Sequence, residues 1–175
     1  MQPATPDLGT RLRKTGSQAL VSGTGGFAAI YLLAQAMLTL DALLLIAPFG
    51  ASCVLLFARP QSPLARPRNV VGGHLLSSFI GLAVLAVAGS DPVAMGLAVG
   101  LAIAAMQATG TLHPPAGGDP LVVMAAGAGW GFLVTPVLTG SVVLVLIAYA
   151  YHRLVSKQAY APDFGQSLLR RYRRS

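Results

Sequence analysis

The sequence contains no glutamate, and only five of its 175 residues are acidic: Asp7, Asp41, Asp91, Asp119 and Asp163. Charged residues make up 10% of the chain against 54% hydrophobic ones, and the mean hydropathy is +0.67. So little charge excludes a soluble core of this length and points to an integral membrane protein. Cysteine is almost missing as well. Cys53 stands alone in an apolar run, which excludes a disulfide framework or a metal cluster and leaves it a packing role.

Basic residues are present but confined to three blocks: Arg11, Arg13 and Lys14; Arg59, Arg66 and Arg68; and Arg153, Lys157, Arg170, Arg171, Arg173 and Arg174. A net charge of +7 in a soluble protein would suggest nucleic acid. Between long apolar runs the same charge marks short loops on the cytoplasmic side, and no nucleic-acid partner is expected.

Two polar, proline-bearing stretches interrupt the apolar runs. The first is Ala47-Pro48-Phe49-Gly50-Ala51-Ser52, and the second is Thr111-Leu112-His113-Pro114-Pro115-Ala116-Gly117-Gly118-Asp119-Pro120. Proline lacks a backbone donor and breaks a continuous helix, but it suits the first turn of a new one. Each stretch is therefore read as a break followed by a helix start, with Pro48 the counterpart of Pro115.

Residues 1–16 read as a basic cytoplasmic tail. The first span covers about residues 18–40, near the roughly 20 residues a bilayer requires. The chain returns through Ala42 to Ala58, broken by Pro48, and a proline-rich basic loop leads to spans at Val70–Ala88 and about Val93–Thr109. Because the second and third basic blocks both belong inside, an even number of crossings separates them. Pro114 to Gly129 then crosses as a second broken span, before a last run from Trp130 to Tyr151.

The expected fold is all-α, with about six transmembrane helices arranged as two inverted three-helix repeats, the second element of each broken by proline. Residues 17–152 form the transmembrane domain, and 153–175 a basic amphipathic tail on the inner leaflet. Both termini lie in the cytoplasm of a bacterial-type inner membrane. Gly96, Gly100 and Ala104 form a small-residue stripe for another helix within the chain or in a homo-oligomer.

A helix that starts inside the membrane presents free N–H groups and a positive dipole end, which attracts a small anion. Gly50, Gly117 and Gly118 clear side chains from those amides, and Ser52 and Thr111 add hydroxyl donors. His113 leaves the chain just before a helix start and titrates near ordinary pH, so it can bring a proton with the anion. His74 is read as a hydrogen bond to another helix or a site residue, and Asn69 as a helix cap or an ion contact. Gln107 lines the path or joins two helices. Asp119 is read as a carboxylate that satisfies helix N-terminal amides.

Three of these stretches, Ala47 to Ser52, Pro67-Arg68-Asn69-Val70-Val71-Gly72-Gly73-His74 and His113-Pro114-Pro115-Ala116-Gly117, together resemble the HPP family of integral membrane proteins. The likeness covers about residues 20–152. Members in cyanobacteria and chloroplasts are associated with nitrite transport, so the resemblance implies nitrite or another small monovalent anion as substrate. The candidate binding residues are Pro48, Phe49, Gly50, Ala51, Ser52, Asn69, His74, Thr111, His113, Pro114, Pro115, Ala116, Gly117 and Gly118. No metal or cofactor is expected, and the partners are the anion, a proton and the bilayer. Two other classes stay in view: a membrane enzyme with His113 as general base oriented by Asp119, and a regulatory membrane subunit.

Overall fold

The computed structural model describes residues 8–160, which form six α-helices and no strand. They are α1 (Leu8–Leu40), α2 (Ala47–Cys53), α3 (Pro67–Ala88), α4 (Pro92–Thr109), α5 (Asp119–Ala125) and α6 (Thr139–Tyr151). α2 continues in wider turns through Val54–Ala58, α6 through His152–Ser156, and α5 follows a tight turn at Pro114–Gly118. Proline stands in the first turn of α2, α3, α4 and α5, where its missing donor costs nothing. Arg66, Asp91 and His113 each precede a proline and are extended, as its ring requires.

Several expectations change. α1 begins at Leu8, so the second half of the stretch read as a tail is helical. Four apolar helical segments are long enough to cross a bilayer: Thr15–Leu40, Pro67–Ala88, Pro92–Thr109 and Trp130–Ser156. The two proline-bearing elements are shorter, because Pro48 and Pro114 stand at the starts of their helical runs rather than inside long helices. The last span is itself interrupted, with Thr135 out of helical geometry before Pro136, a break the sequence reading missed. The expected amphipathic tail from Ala161 onward lies outside the described residues.

Packing follows small residues. Ser22 of α1 donates to Phe57 O, and Gly26 faces Cys53, so α2 and its continuation run antiparallel to α1. Gly72 and Gly73 of α3 lie against Thr111 and His113, and Gly81 lies against Pro120, so residues 111–123 run parallel to α3. A Cβ at Gly73 would meet His113 Cβ at 2.8 Å and one at Gly81 would meet Pro120 Cα at 2.8 Å. α6 runs parallel to α2, from Gly140 beside Phe49 to His152, whose Nε2 donates to Leu56 O.

Phe49, Leu56, Phe57, Leu33, Leu44, Val137 and Leu144 form the main buried core, and Val84, Ala94, Ala98 and Met124 a second cluster. Only 17–39% of each long span is buried within the chain, which leaves the rest of its apolar surface to lipid. The chain is a multi-pass membrane protein. The stripe at Gly96 and Gly100 faces outward with nothing near it, and Ala94, Ala98, Ala102 and Met106 supply the buried face of α4 instead. Gln107 is also exposed.

One end of the bundle brings together α1 near Gln18, the loop after α2 and the segment after α6. Gln18 of α1, Arg59 to Ser62 and Gln158 line a common cavity of about 760 Å³. Arg68 donates to Thr109 O at the end of α4, and Tyr160 donates its hydroxyl to Ala65 O. Burial raises the Tyr160 phenol pKa, which keeps it protonated as that donor.

Candidate functional site

The starts of the two short elements pass one another at the centre of the bundle. Gly118 lies against the Pro48 ring, and four residues on, Ser52 Oγ is 2.8 Å from His113 Nε2. α3 runs beside both. From it His74 places Nε2 2.9 Å from the same Ser52 Oγ and Nδ1 2.8 Å from Asp119 Oδ2. Ser78 Oγ donates to that carboxylate oxygen at 3.2 Å, and Ser77 Oγ donates to Ala116 O at 2.6 Å. Ser52, His74, Ser77, Ser78, His113 and Asp119 are all fully buried.

Each position follows from local chemistry. Ser52 and Pro48 are separated by one helical turn, and Ser52 Oγ lies 3.2 Å from Pro48 O. His74, Ser77, Ser78 and Gly81 recur at three- and four-residue spacing, so one face of α3 carries both the polar groups and the gap that admits Pro120. His113 is held from behind, where its Nδ1 donates to Leu64 O at 2.8 Å in the basic loop. The Phe49 and His74 rings meet edge to face at 4.9 Å between centroids, and the His74 ring meets the His113 ring at 5.0 Å.

Among the sequence-derived residues, Ser52, His74 and His113 come into contact, while Pro48, Phe49, Ala116 and Gly118 pack around them. Gly117 is partly buried with open space beside it. Gly50 and Ala51 face away from this centre. Gly50 lines an apolar groove with Gly26, Phe27, Tyr31 and Cys53. Thr111 bonds to Thr109, and Pro114 is exposed. Asn69 is not a cap, since Arg66 holds that position; its side-chain amide donates to Leu112 O and fixes the extended approach to His113.

Asp119 departs from its expected role. It stands in the first turn of α5, but its carboxylate turns to His74 and Ser78 rather than to backbone amides, and Oδ1 has no hydrogen-bond partner. The amides at the helix starts are also less free than expected. Phe49 N donates to Ile46 O, Ala116 N donates to His113 O, and Pro48, Pro114 and Pro115 have none to offer. The groups gathered at this centre are side chains. Ser77 and Ser78 escaped the sequence reading because a serine in an apolar helix carries no signal until its facing partner is known.

A family model described as the HPP transmembrane region matches residues 12–161. A transmembrane protein of Dictyostelium discoideum is 35% identical over 167 residues, which cover 91% of this chain and 57% of that protein. A second from the same organism is 39% identical over 128 residues, covering 69% of this chain and 41% of its own length. This chain thus spans about half the length of these curated relatives. No solved structure matches it.

Proposed function

The chain belongs to the HPP transmembrane family, and on that premise we propose that it transports a small monovalent anion, with nitrite as the substrate suggested by the family resemblance. One observation carries this reading: Ser52, His74, His113 and Asp119 form a fully buried, hydrogen-bonded polar centre where two broken elements meet in an apolar bundle. Ionisable groups at membrane depth are expensive to maintain and mark ion and proton paths.

The same reading gives the topology. The non-helical residues 41–46 and 111–113 lengthen each short element towards a full crossing, which makes six crossings. Residues 8–88 and 92–156 then form two inverted halves whose short elements start at the centre, the arrangement of a transporter's midplane site. The basic end is cytoplasmic. The enclosed polar centre corresponds to the occluded state of alternating access. Ser52 and the two histidines, rather than free amides, supply the donors for the anion. A proton on His113 balances its charge, because an anion entering alone against the membrane potential costs about 2.3 kcal/mol per 100 mV.

Nitrite uptake into liposomes containing the purified protein and a pH dye tests this. Saturable uptake with an accompanying pH change is expected, and His113→Ala abolishes the pH change. Ser52→Ala removes one of the donors at the centre and should lower uptake by about tenfold, the loss of one hydrogen bond to the anion. Folded native protein with no flux above empty liposomes overturns the reading.

The membrane-enzyme reading keeps one specific support. Ser52 Oγ, His74 Nε2, His74 Nδ1 and Asp119 Oδ2 are connected in the order of a serine hydrolase triad. This differs from the sequence-based version, in which His113 was the base. Against it, the Ser52 hydroxyl is shared between two imidazoles, His74 and His113, whereas the serine of such a triad is poised on a single base. A serine-directed fluorophosphonate should therefore spare Ser52, whereas stoichiometric labelling would place the enzyme reading first.

A further inference from the structure

Counting hydrogens along the buried centre assigns it a second property. Four links run in series: Asp119 Oδ2 to His74 Nδ1, His74 Nε2 to Ser52, Ser52 to His113 Nε2, and His113 Nδ1 to Leu64 O. Each needs one hydrogen. An ionised aspartate, two neutral imidazoles and one hydroxyl supply three. The series is complete only with one additional proton, and it is then electrically neutral.

We infer that Asp119, His74, Ser52 and His113 form a proton relay that holds this one proton and passes it between His113 and Asp119. The inference deepens the transport reading and rests on it for its biological use. In one end state His113 carries hydrogen on both ring nitrogens, Ser52 donates to His74 Nε2, and His74 Nδ1–H donates to the Asp119 carboxylate. Transfer moves three protons one step each. The Nε2 proton of His113 passes to Ser52 Oγ, the Ser52 proton passes to His74 Nε2, and the Nδ1 proton of His74 passes to Asp119 Oδ2. His113 ends neutral, His74 has changed tautomer, and Asp119 is a neutral carboxylic acid.

Both end states keep all four links of the series, since Leu64 O accepts from His113 throughout; the longer contact of Ser52 Oγ to Pro48 O, at 3.2 Å, gives up the hydroxyl hydrogen in each. The unpartnered Oδ1 of Asp119 supports the second state, because an ionised carboxylate with a bare buried oxygen is costly and a neutral acid much less so. Ser78 donates to Oδ2 and holds the carboxyl towards His74. The surroundings supply few other titratable groups. α4 has none, α5 has only Asp119, α1 has Tyr31 among its described side chains, and α6 has Tyr149 and Tyr151, the latter donating to Val21 O, with His152 in its continuation donating to Leu56 O. Cys53 follows Ser52 on α2, and Arg66 and Arg68 flank the start of α3.

Nitrogen-15 NMR of histidine-labelled protein in lipid bilayers reads the relay directly. In native protein and in Ser52→Thr, which keeps the hydroxyl, His74 should change tautomer over the same pH interval in which His113 changes protonation. In Ser52→Ala the two changes should separate. In Asp119→Asn, His74 should keep one tautomer at every pH. Independent titration of the two rings in native protein would overturn the relay, as would native-like coupling in folded Ser52→Ala. Coupled titration without nitrite flux would leave the relay standing and remove the transport reading, and flux without coupling would do the reverse.

Discussion

At the scale of single residues, the centre depends on what α3 leaves out. Gly73 and Gly81 let the backbone around His113 and Pro120 approach to distances a methyl group would occupy. Gly73→Ala and Gly81→Ala should each destabilise the protein by about 1–3 kcal/mol through overpacking, seen as a lower unfolding temperature in detergent. Gly140→Ala belongs with them, since its Cβ would stand 2.5 Å from Leu44 O and against the Phe49 ring. Gly96→Ala is the contrast. Nothing lies near that position, and replacing a helical glycine there should be neutral or stabilising by up to about 1 kcal/mol. The sequence marked His113 and Ser52 as polar groups in apolar surroundings. It could not pair His74 with Asp119, because they lie 45 residues apart and meet only once α5 runs beside α3.

At the scale of elements, most starts and stops were legible because they are local. Asp91 before Pro92 reads as a turn and serves as the cap of α4, its carboxylate accepting from Ala94 N at 2.8 Å. Asp91→Ala should cost about 1 kcal/mol and lower the unfolding temperature without altering the buried centre. The short helices were harder to bound. An apolar run such as Ala42 to Ala58 has the composition of a span throughout, and only the backbone shows that its first residues are not helical and its helix begins at Ala47. The interruption at Thr135 was hidden for a similar reason. One proline in a long apolar run predicts a disturbance without saying whether the helix kinks or stops.

At the scale of the whole molecule, segments far apart in the sequence meet at one end. Gln18, Gln61 and Gln158, which come from widely separated parts of the chain, line one cavity there. Cysteine labelling tests the orientation. A membrane-impermeant maleimide should modify Gln61→Cys only from the cytoplasmic side and Ser90→Cys only from the opposite side, and labelling of both from one side would overturn the topology.

The basic loop also joins two distant parts of the molecule. Consecutive carbonyls, Leu64 O and Ala65 O, accept from His113 and from Tyr160 respectively. The loop is a lever one peptide long, with a buried imidazole on one arm and the segment beyond α6 on the other. One peptide unit thus ties the ring of His113 to the side chain of Tyr160. Tyr160→Phe cuts that hydrogen-bonded linkage and leaves the ring packed against His152 in the core.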